Sequence, residues 1–274
     1  MTSQTARAAP PQTPILLREM AGPIAVLTLN RPAARNSLSE ALIAELDAAL
    51  RQIHDDANVR AVVIAANGPV FSAGHDMKEL TARRSDADRG RGYFAEIMTA
   101  CSAMMQAIVH LPKPVIAAVQ GMATAAGCQL VASCDLAIAS EAASFATPGV
   151  DIGLFCSTPM VALSRNVSRK QAMEMLLTGE PIAAATARDI GLVNRVVAAG
   201  TERDAAIELA EKVALNSAYT IKLGKEAFYR QAEMSLAGAY RYAAEVMVEN
   251  MMARDAAEGI GAFIEKRDPK WQDE

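Results

Sequence analysis

Cysteine is scarce in this sequence: Cys101, Cys128, Cys134 and Cys156 are the only four, each sits in an apolar context, and no two form a CxxC pair. A disulfide framework is therefore not expected, and the chain reads as a reduced protein, cytoplasmic or, in a eukaryote, of the mitochondrial matrix. Histidine is scarcer still. His54, His75 and His110 are the three present, they lack metal-type spacing, and His54 and His110 fall near predicted helix ends, where imidazole suits the last turn. No metal site is expected. An excess of basic residues is missing too: 27 against 31 acidic ones gives a net charge of −4, which argues against a nucleic-acid partner. No uninterrupted apolar run approaches the roughly 18 residues that span a membrane. GxGxxG, GxxxxGK[ST] and GxSxG do not occur, so the dinucleotide, P-loop and hydrolase-elbow readings fail. The opening MTSQTARAAPPQTP, residues 1–14, has no apolar core and reads as a disordered tail; being acid-free with one Arg, it leaves a transit peptide as the alternative.

What is present is a 274-residue chain, 51% hydrophobic and 21% charged, long enough for one large core or a core with an appendage. Strand and helix signals alternate. PIAVLTL is a short β-type run, and SEALIAELDAALRQI follows with Leu42, Ile43, Leu46, Leu50 and Ile53 at helical spacing. RAVVIAA is continuously apolar, as in a strand covered on both faces. A helix is expected from about Tyr93 to His110, stopped by LPKP, with VIAAV and DLAIA as further buried strands. This alternation implies right-handed βαβ crossovers and a mostly parallel sheet, an α/β fold. From Pro159 onward the pattern is nearly all helical apart from LVNRVV. The expected division is an α/β core over residues 15–200 and a helical region over 201–274. The methionines of EIMTACSAMMQAI and EVMVENMMA read as core or interface packing, with the lining of an acyl pocket as the alternative.

Parallel sheets bind ligands beyond their C-terminal strand ends, and two loops stand out there. In NGPVFSAGHDMKEL, Gly74 permits a positive φ or a close backbone approach, and Asp76 with Glu79 fits a capping box opening a short helix. In QGMATAAG, an Ala-Ala-Gly run opens the helix CQLVAS, where free N–H groups and the helix dipole favour a negative partner. Two such turns, each offering an N–H, could form an oxyanion hole for charge developing on a carbonyl oxygen. Equally, small-residue turns close helices onto sheets in folds that do no chemistry.

In this order and context the segments LNRPAARNSLS, FSAGHDMKEL, KPVIAAVQGMATAAGCQLVASCDLAIAS, FATPGVDIGL, GLVNRVV and AFIEKRDPKW resemble the enoyl-CoA hydratase/isomerase (crotonase) superfamily, from about residue 15 to the end. The resemblance implies a spiral of ββα units with a C-terminal helical trimerisation region, assembled as a trimer or dimer of trimers. It implies acyl-CoA or enoyl-CoA thioester ligands, with coenzyme A as part of the substrate and no separate cofactor. The oxyanion donors would fall on the backbone N–H groups of His75 and Ala126. Adenine and pantetheine would lie along Ala73, Asp76, Met77 and Lys78, with Arg35, Phe263 and Lys266 toward the nucleotide end.

Hydratases of the superfamily carry two glutamates, in GGGCEL and PEI. Matching these to AAGCQL and PGV puts Gln129 and Gly149 at the two positions, so both carboxylates are missing. Hydration needs a base to activate water and an acid to protonate C2, each group contributing about 10²- to 10⁴-fold. Gln129 can orient a water but cannot transfer a proton near neutral pH, and Gly149 has no side chain. Two substitutes are considered. Asp151 lies two residues past Gly149, where strand alternation would point it the same way; its alternative is a hydrogen-bonded structural carboxylate. Cys156, in LFCSTP, is a nucleophile candidate or an inert buried thiol. Two functions follow: an acyl-CoA enzyme running isomerisation, thioester hydrolysis or slow hydration, or a catalytically silent acyl-CoA-binding or regulatory protein.

Overall fold

Strand β2 (Ile24–Leu29) is buried along its whole length because both of its faces are apolar. Ala25, Leu27 and Leu29 join one core, and Ile24 and Val26 join a second. The structure, a computed structural model, describes residues 13–274. Strand β1 (Leu16–Ala21) pairs antiparallel with β2; β3 (Ala61–Ala66), β5 (Val115–Val119), β7 (Leu136–Ser140) and β10 (Arg195–Val197) continue it in parallel, in the order β1-β2-β3-β5-β7-β10. One face packs on α1 (Glu40–His54) and α3 (Arg91–His110), and the five aliphatic positions expected to line α1 are all buried. The other face is covered by α8 (Glu202–Ala214) through Ala206 and Ala210, which lets α8 lie close to Val63, Ile116 and Ile138. The doubly covered strand read from RAVVIAA is thus observed.

A second sheet supplies the further strands of the ββα units that the resemblance implies, although the residue pattern by itself does not mark them. Strands β4 (Val70–Ser72), β6 (Met122–Thr124) and β8 (Ser144–Ala146) run parallel, and β9 (Ile182–Ala183) closes the sheet antiparallel to β8. β4, β6 and β8 each follow a strand of the large sheet, whereas β9 comes after α6, and the chain winds as a spiral of ββα turns. Runs of two or three residues carry too little periodicity to register as strands. The remaining helices are α2 (Met77–Ala82), α4 (Ala126–Ser133), α5 (Ser157–Asn166), α6 (Arg169–Thr178), α7 (Ala184–Asp189), α9 (Ala218–Gln231), α10 (Leu236–Met252) and α11 (Arg254–Glu265). Apart from Thr13 and Pro14, the expected N-terminal tail lies outside the described residues.

Among the methionines, Met104 and Met105 are core, whereas Met247, Met251 and Met252 are exposed on α10. The last helices are tied to the sheet by a buried ion pair. Lys225 Nζ donates to Asp135 Oδ2 at 2.6 Å and to the carbonyls of Ile108 and Lys113 at 3.0 Å each. Asp135 also accepts from Tyr229 at 2.9 Å and from the Val115 N–H at 2.7 Å. Every donor of the ammonium is used, the condition under which a buried charge is tolerated. No helix among the described residues is long and apolar enough to cross a membrane.

Candidate active site

Because β4 and β6 are neighbours, the turns that follow them emerge side by side. The first turn is pinned by a bridge between Leu38 and His75: Leu38 N–H donates to Gly74 O at 2.8 Å and Asp76 N–H to Leu38 O at 3.3 Å. Gly74 has φ +80, and a Cβ there would lie 2.9 Å from Ala125 Cβ, 3.1 Å from Thr124 O and 3.2 Å from Ala126 N. Only glycine fits both the torsion and the space. The second turn holds Ala125 at φ 50, a positive value that L-residues disfavour. Its N–H donates to Ala146 O at 2.9 Å and its carbonyl accepts from Gln129 N–H at 3.0 Å. Gly127 lets the first turn of α4 press onto β4, since a Cβ there would collide with the Ser72 carbonyl.

Two donors are left over. Among the described residues, neither the His75 N–H nor the Ala126 N–H has an acceptor within the chain. Ala126 is the first residue of α4, where helix geometry supplies none. The His75 side chain takes no part in this: both ring nitrogens are buried without a partner, and burial holds the imidazole pKa below its usual 6.5.

The two positions matched to the family glutamates carry no carboxylate. Gln129, one turn along α4, is 5% exposed, and its Oε1 has no hydrogen-bond partner. Gly149 lies in a 3₁₀ turn, Pro148–Ile152, where a Cβ would meet Leu154 O at 2.9 Å, Cys156 Sγ at 3.0 Å and Cys156 N at 3.2 Å. The chain itself has closed over the space a longer side chain would need. Burial raises the Cys156 thiol pKa, with Gly149 partly offsetting it, and pushes Cys128 up to about 12, so both are neutral thiols. All four cysteines are free and buried.

The expectation that Asp151 points the same way as Gly149 is overturned. Residues 148–152 are 3₁₀-helical rather than extended, so i and i+2 do not share a face. Asp151 is exposed, and its carboxylate oxygens lie 3.2 Å from where a Cβ on Gly179 would be, at the end of α6. The Asp76–Glu79 capping box is half present. Asp76 caps α2 by accepting from Lys78 N–H at 3.1 Å, but Glu79 accepts instead from Glu40 N–H at 2.9 Å, at the start of α1. Asp76 also accepts from Arg31 and Ser37, each at 3.1 Å. Burial opposes its ionisation, but these bonds outweigh it and hold the carboxyl below its ordinary range. Sequence reasoning misses Arg31 and Ser37 as supports of this loop; the LNRPAARNSLS segment that holds them stands out without giving a role to either.

The first turn gathers most of the expected ligand residues. Ala73 N–H donates to Arg35 O at 3.0 Å, which sets exposed Arg35 beside it, and Met77 and Lys78 are exposed at the start of α2. Phe263 and Lys266 are elsewhere. They belong to α11 and its C-cap, which pack on α10 and on Trp271, and Phe263 is 85% exposed. Thr147, next to the junction of β8 with Ala125, is a further residue that the sequence does not single out; its hydroxyl is buried without a partner.

Paired small-residue turns on a ββα spiral define a class, and the comparisons agree. The sequence profile of the enoyl-CoA hydratase/isomerase family matches residues 19–274, and the chain belongs to that family. It is 48% identical over 259 residues to the enoyl-CoA hydratase domain-containing protein 3, mitochondrial, of Xenopus laevis, covering 94% of this chain and 86% of that protein. Its structure is similar to that of human enoyl-CoA hydratase domain-containing protein 3, with TM-score 0.89 and 46% identity, covering 94% of this chain and 100% of the other. A crystallised enoyl-CoA hydratase of Mycobacterium smegmatis compares at TM-score 0.89 and 49% identity, covering 94% and 99%.

Proposed function

We propose that this protein acts on acyl-CoA thioesters, with the His75 and Ala126 N–H groups stabilising a thioester enolate or oxyanion, and that hydration is a poor reaction for it. The observation that carries the reading is the pair of unclaimed donors, taken with Gln129 and Gly149, which cannot exchange a proton. Donors aimed at a developing oxyanion stabilise it without reorganising. The asymmetry favours steps needing oxyanion stabilisation with fewer acid–base groups, such as isomerisation or thioester hydrolysis, over addition of water. Arg35, Ala73, Asp76, Met77 and Lys78 fit the coenzyme A end, Asp76 through the loop it holds rather than through a free charge. Coenzyme A enters as part of the substrate, and the reading calls for no separate cofactor.

A silent acyl-CoA binder is the second reading, favoured by the same absence of a proton-transfer group. One experiment separates them: turnover across a panel of acyl-CoA thioesters, following hydration, isomerisation and free CoA together. Turnover in any channel above the uncatalysed rate supports the enzyme; thermal stabilisation by acyl-CoA with no turnover supports the binder. We further propose a trimer or dimer of trimers built on the exposed apolar residues of α9–α11, in a reducing compartment (the cytoplasm or mitochondrial matrix) that suits four free thiols.

A further inference from the structure

We propose that the protein carries a second ligand site, at the opposite end of the sheet from the paired turns, which binds a small organic anion: one carboxylate or phosphate head on a short apolar body. The site is a cavity of about 360 Å³ between the starts of β3 and β5 and the junction of α8 with α9. Pockets for small molecules begin at roughly 300 Å³. Arg60 comes directly before β3 and Lys113 two residues before β5, whereas the paired turns follow β4 and β6, beyond the other ends of those strands. The cavity is thus separate from the site already described.

Charge decides the ligand. Two carboxylates line the cavity, and both are already engaged. Asp273 accepts from the Ala218 N–H at 2.7 Å, at the start of α9, and pairs with Arg60, which also donates to Asn216 O at 2.6 Å. Asp55 pairs with His54 Nδ1 at 2.7 Å. The lysines keep unused donors. Lys113 Nζ donates to the carbonyls of Ile53 and Asp56, which leaves the third proton of its ammonium unclaimed among the described residues. Lys222 is exposed on α9 and has no ion-pair partner among them. Burial lowers the Lys113 pKa, so a neighbouring anion would restore part of the solvation its ammonium has lost. The chain's own Asp273 carboxylate, seated between a guanidinium and a helix N-terminus, shows that this corner of the molecule holds an anion.

Shape adds the rest of the ligand. Beside these charges, Val59, Pro112, Ala214 and Ile221 offer apolar surface. An inorganic ion leaves that surface wet, and a neutral alcohol leaves the ammonium groups unmatched. A head group on a few carbons meets both demands.

The test is calorimetric titration of the full-length protein with hexanoate, hexyl phosphate, hexanol and hexylammonium. At least one of the two anions should bind saturably, the tighter one identifying the head group, while hexanol and hexylammonium should not bind. Affinity should fall as salt rises. Lys222→Ala should weaken the anion at least about threefold, the size of one partly exposed charge pair, and Lys222→Arg should restore it. Hydrogen exchange should slow on binding in residues 54–60 and 213–222. Absence of saturable anion binding, or hexanol binding as tightly as hexanoate, would overturn the proposal. So would unchanged affinity in Lys222→Ala, or protection confined to the paired turns at 73–77 and 124–129. None of these outcomes bears on acyl-CoA turnover.

Discussion

At the scale of single residues, the proposed function turns on positions 129 and 149. Wild-type protein should hydrate crotonyl-CoA very slowly or undetectably. Glutamate at both positions should raise the rate more than either change alone, because water activation and C2 protonation act as a unit. The structure adds a condition: Gly149→Glu must displace the Leu154 carbonyl and the Cys156 thiol, so each variant carrying that substitution should melt earlier, by the few kcal/mol typical of overpacking. Asp151→Asn should leave any hydration rate unchanged. Robust wild-type hydration in a continuous absorbance assay would refute the set. His75 offers a separate measurement. Its folded pKa is depressed, so the unfolded chain takes up the proton first, and stability present above pH 6.5 is lost as pH falls through that value. His75→Ala should flatten the melting temperature as pH falls below 6.5 while preserving acyl-CoA binding, since the proposed role uses only the backbone N–H.

At the scale of elements, the site depends on two short strands more than on the large sheet. Gly74→Ala would force a Cβ against Ala125 and Thr124 O, prising the turns after β4 and β6 apart. Loss of a single oxyanion donor typically costs about 10²- to 10³-fold in kcat, and the variant should lose at least that with only modest loss of acyl-CoA binding. The long elements are legible in the sequence because their periodicities persist over many residues: Leu42 to Ile53 marks α1, and the unbroken RAVVIAA marks β3. Strands β4, β6, β8 and β9 are not, because runs as short as Ile182–Ala183 acquire strand geometry only from neighbours distant in sequence. The same limit misleads the reading of Asp151, where Pro148 opens a 3₁₀ turn and alternation does not apply. Lys225 illustrates the reverse case. It reads as one more basic residue on α9, yet its side chain is 8% exposed and pairs with Asp135. Lys225→Met leaves Asp135 without its counter-charge and should destabilise the fold by about 3–5 kcal/mol in chemical denaturation.

At the scale of the whole molecule, the proposed assembly rests on large apolar residues exposed on the last helices. Leu236 is 76% and Met252 81% exposed, in addition to Phe263. Large apolar patches left open to solvent are a usual mark of interaction surfaces. Light scattering at micromolar concentration should give a mass of three or six subunits, and a stable monomer would refute the assembly. Phe263 and Lys266, exposed on the same helical region, would then be placed by the assembly rather than by their own chain.

Lys225 joins these scales in a mechanical sense. It reaches from α9 to Asp135, two residues beyond the end of α4, whose other end carries Ala126 and Gln129. Ammonium, carboxylate and the helix α4 thus link α9 to the turn that carries the Ala126 N–H. Breaking the Lys225–Asp135 pair should therefore be felt at both ends of this link, as faster amide hydrogen exchange in α9 and in the first turn of α4.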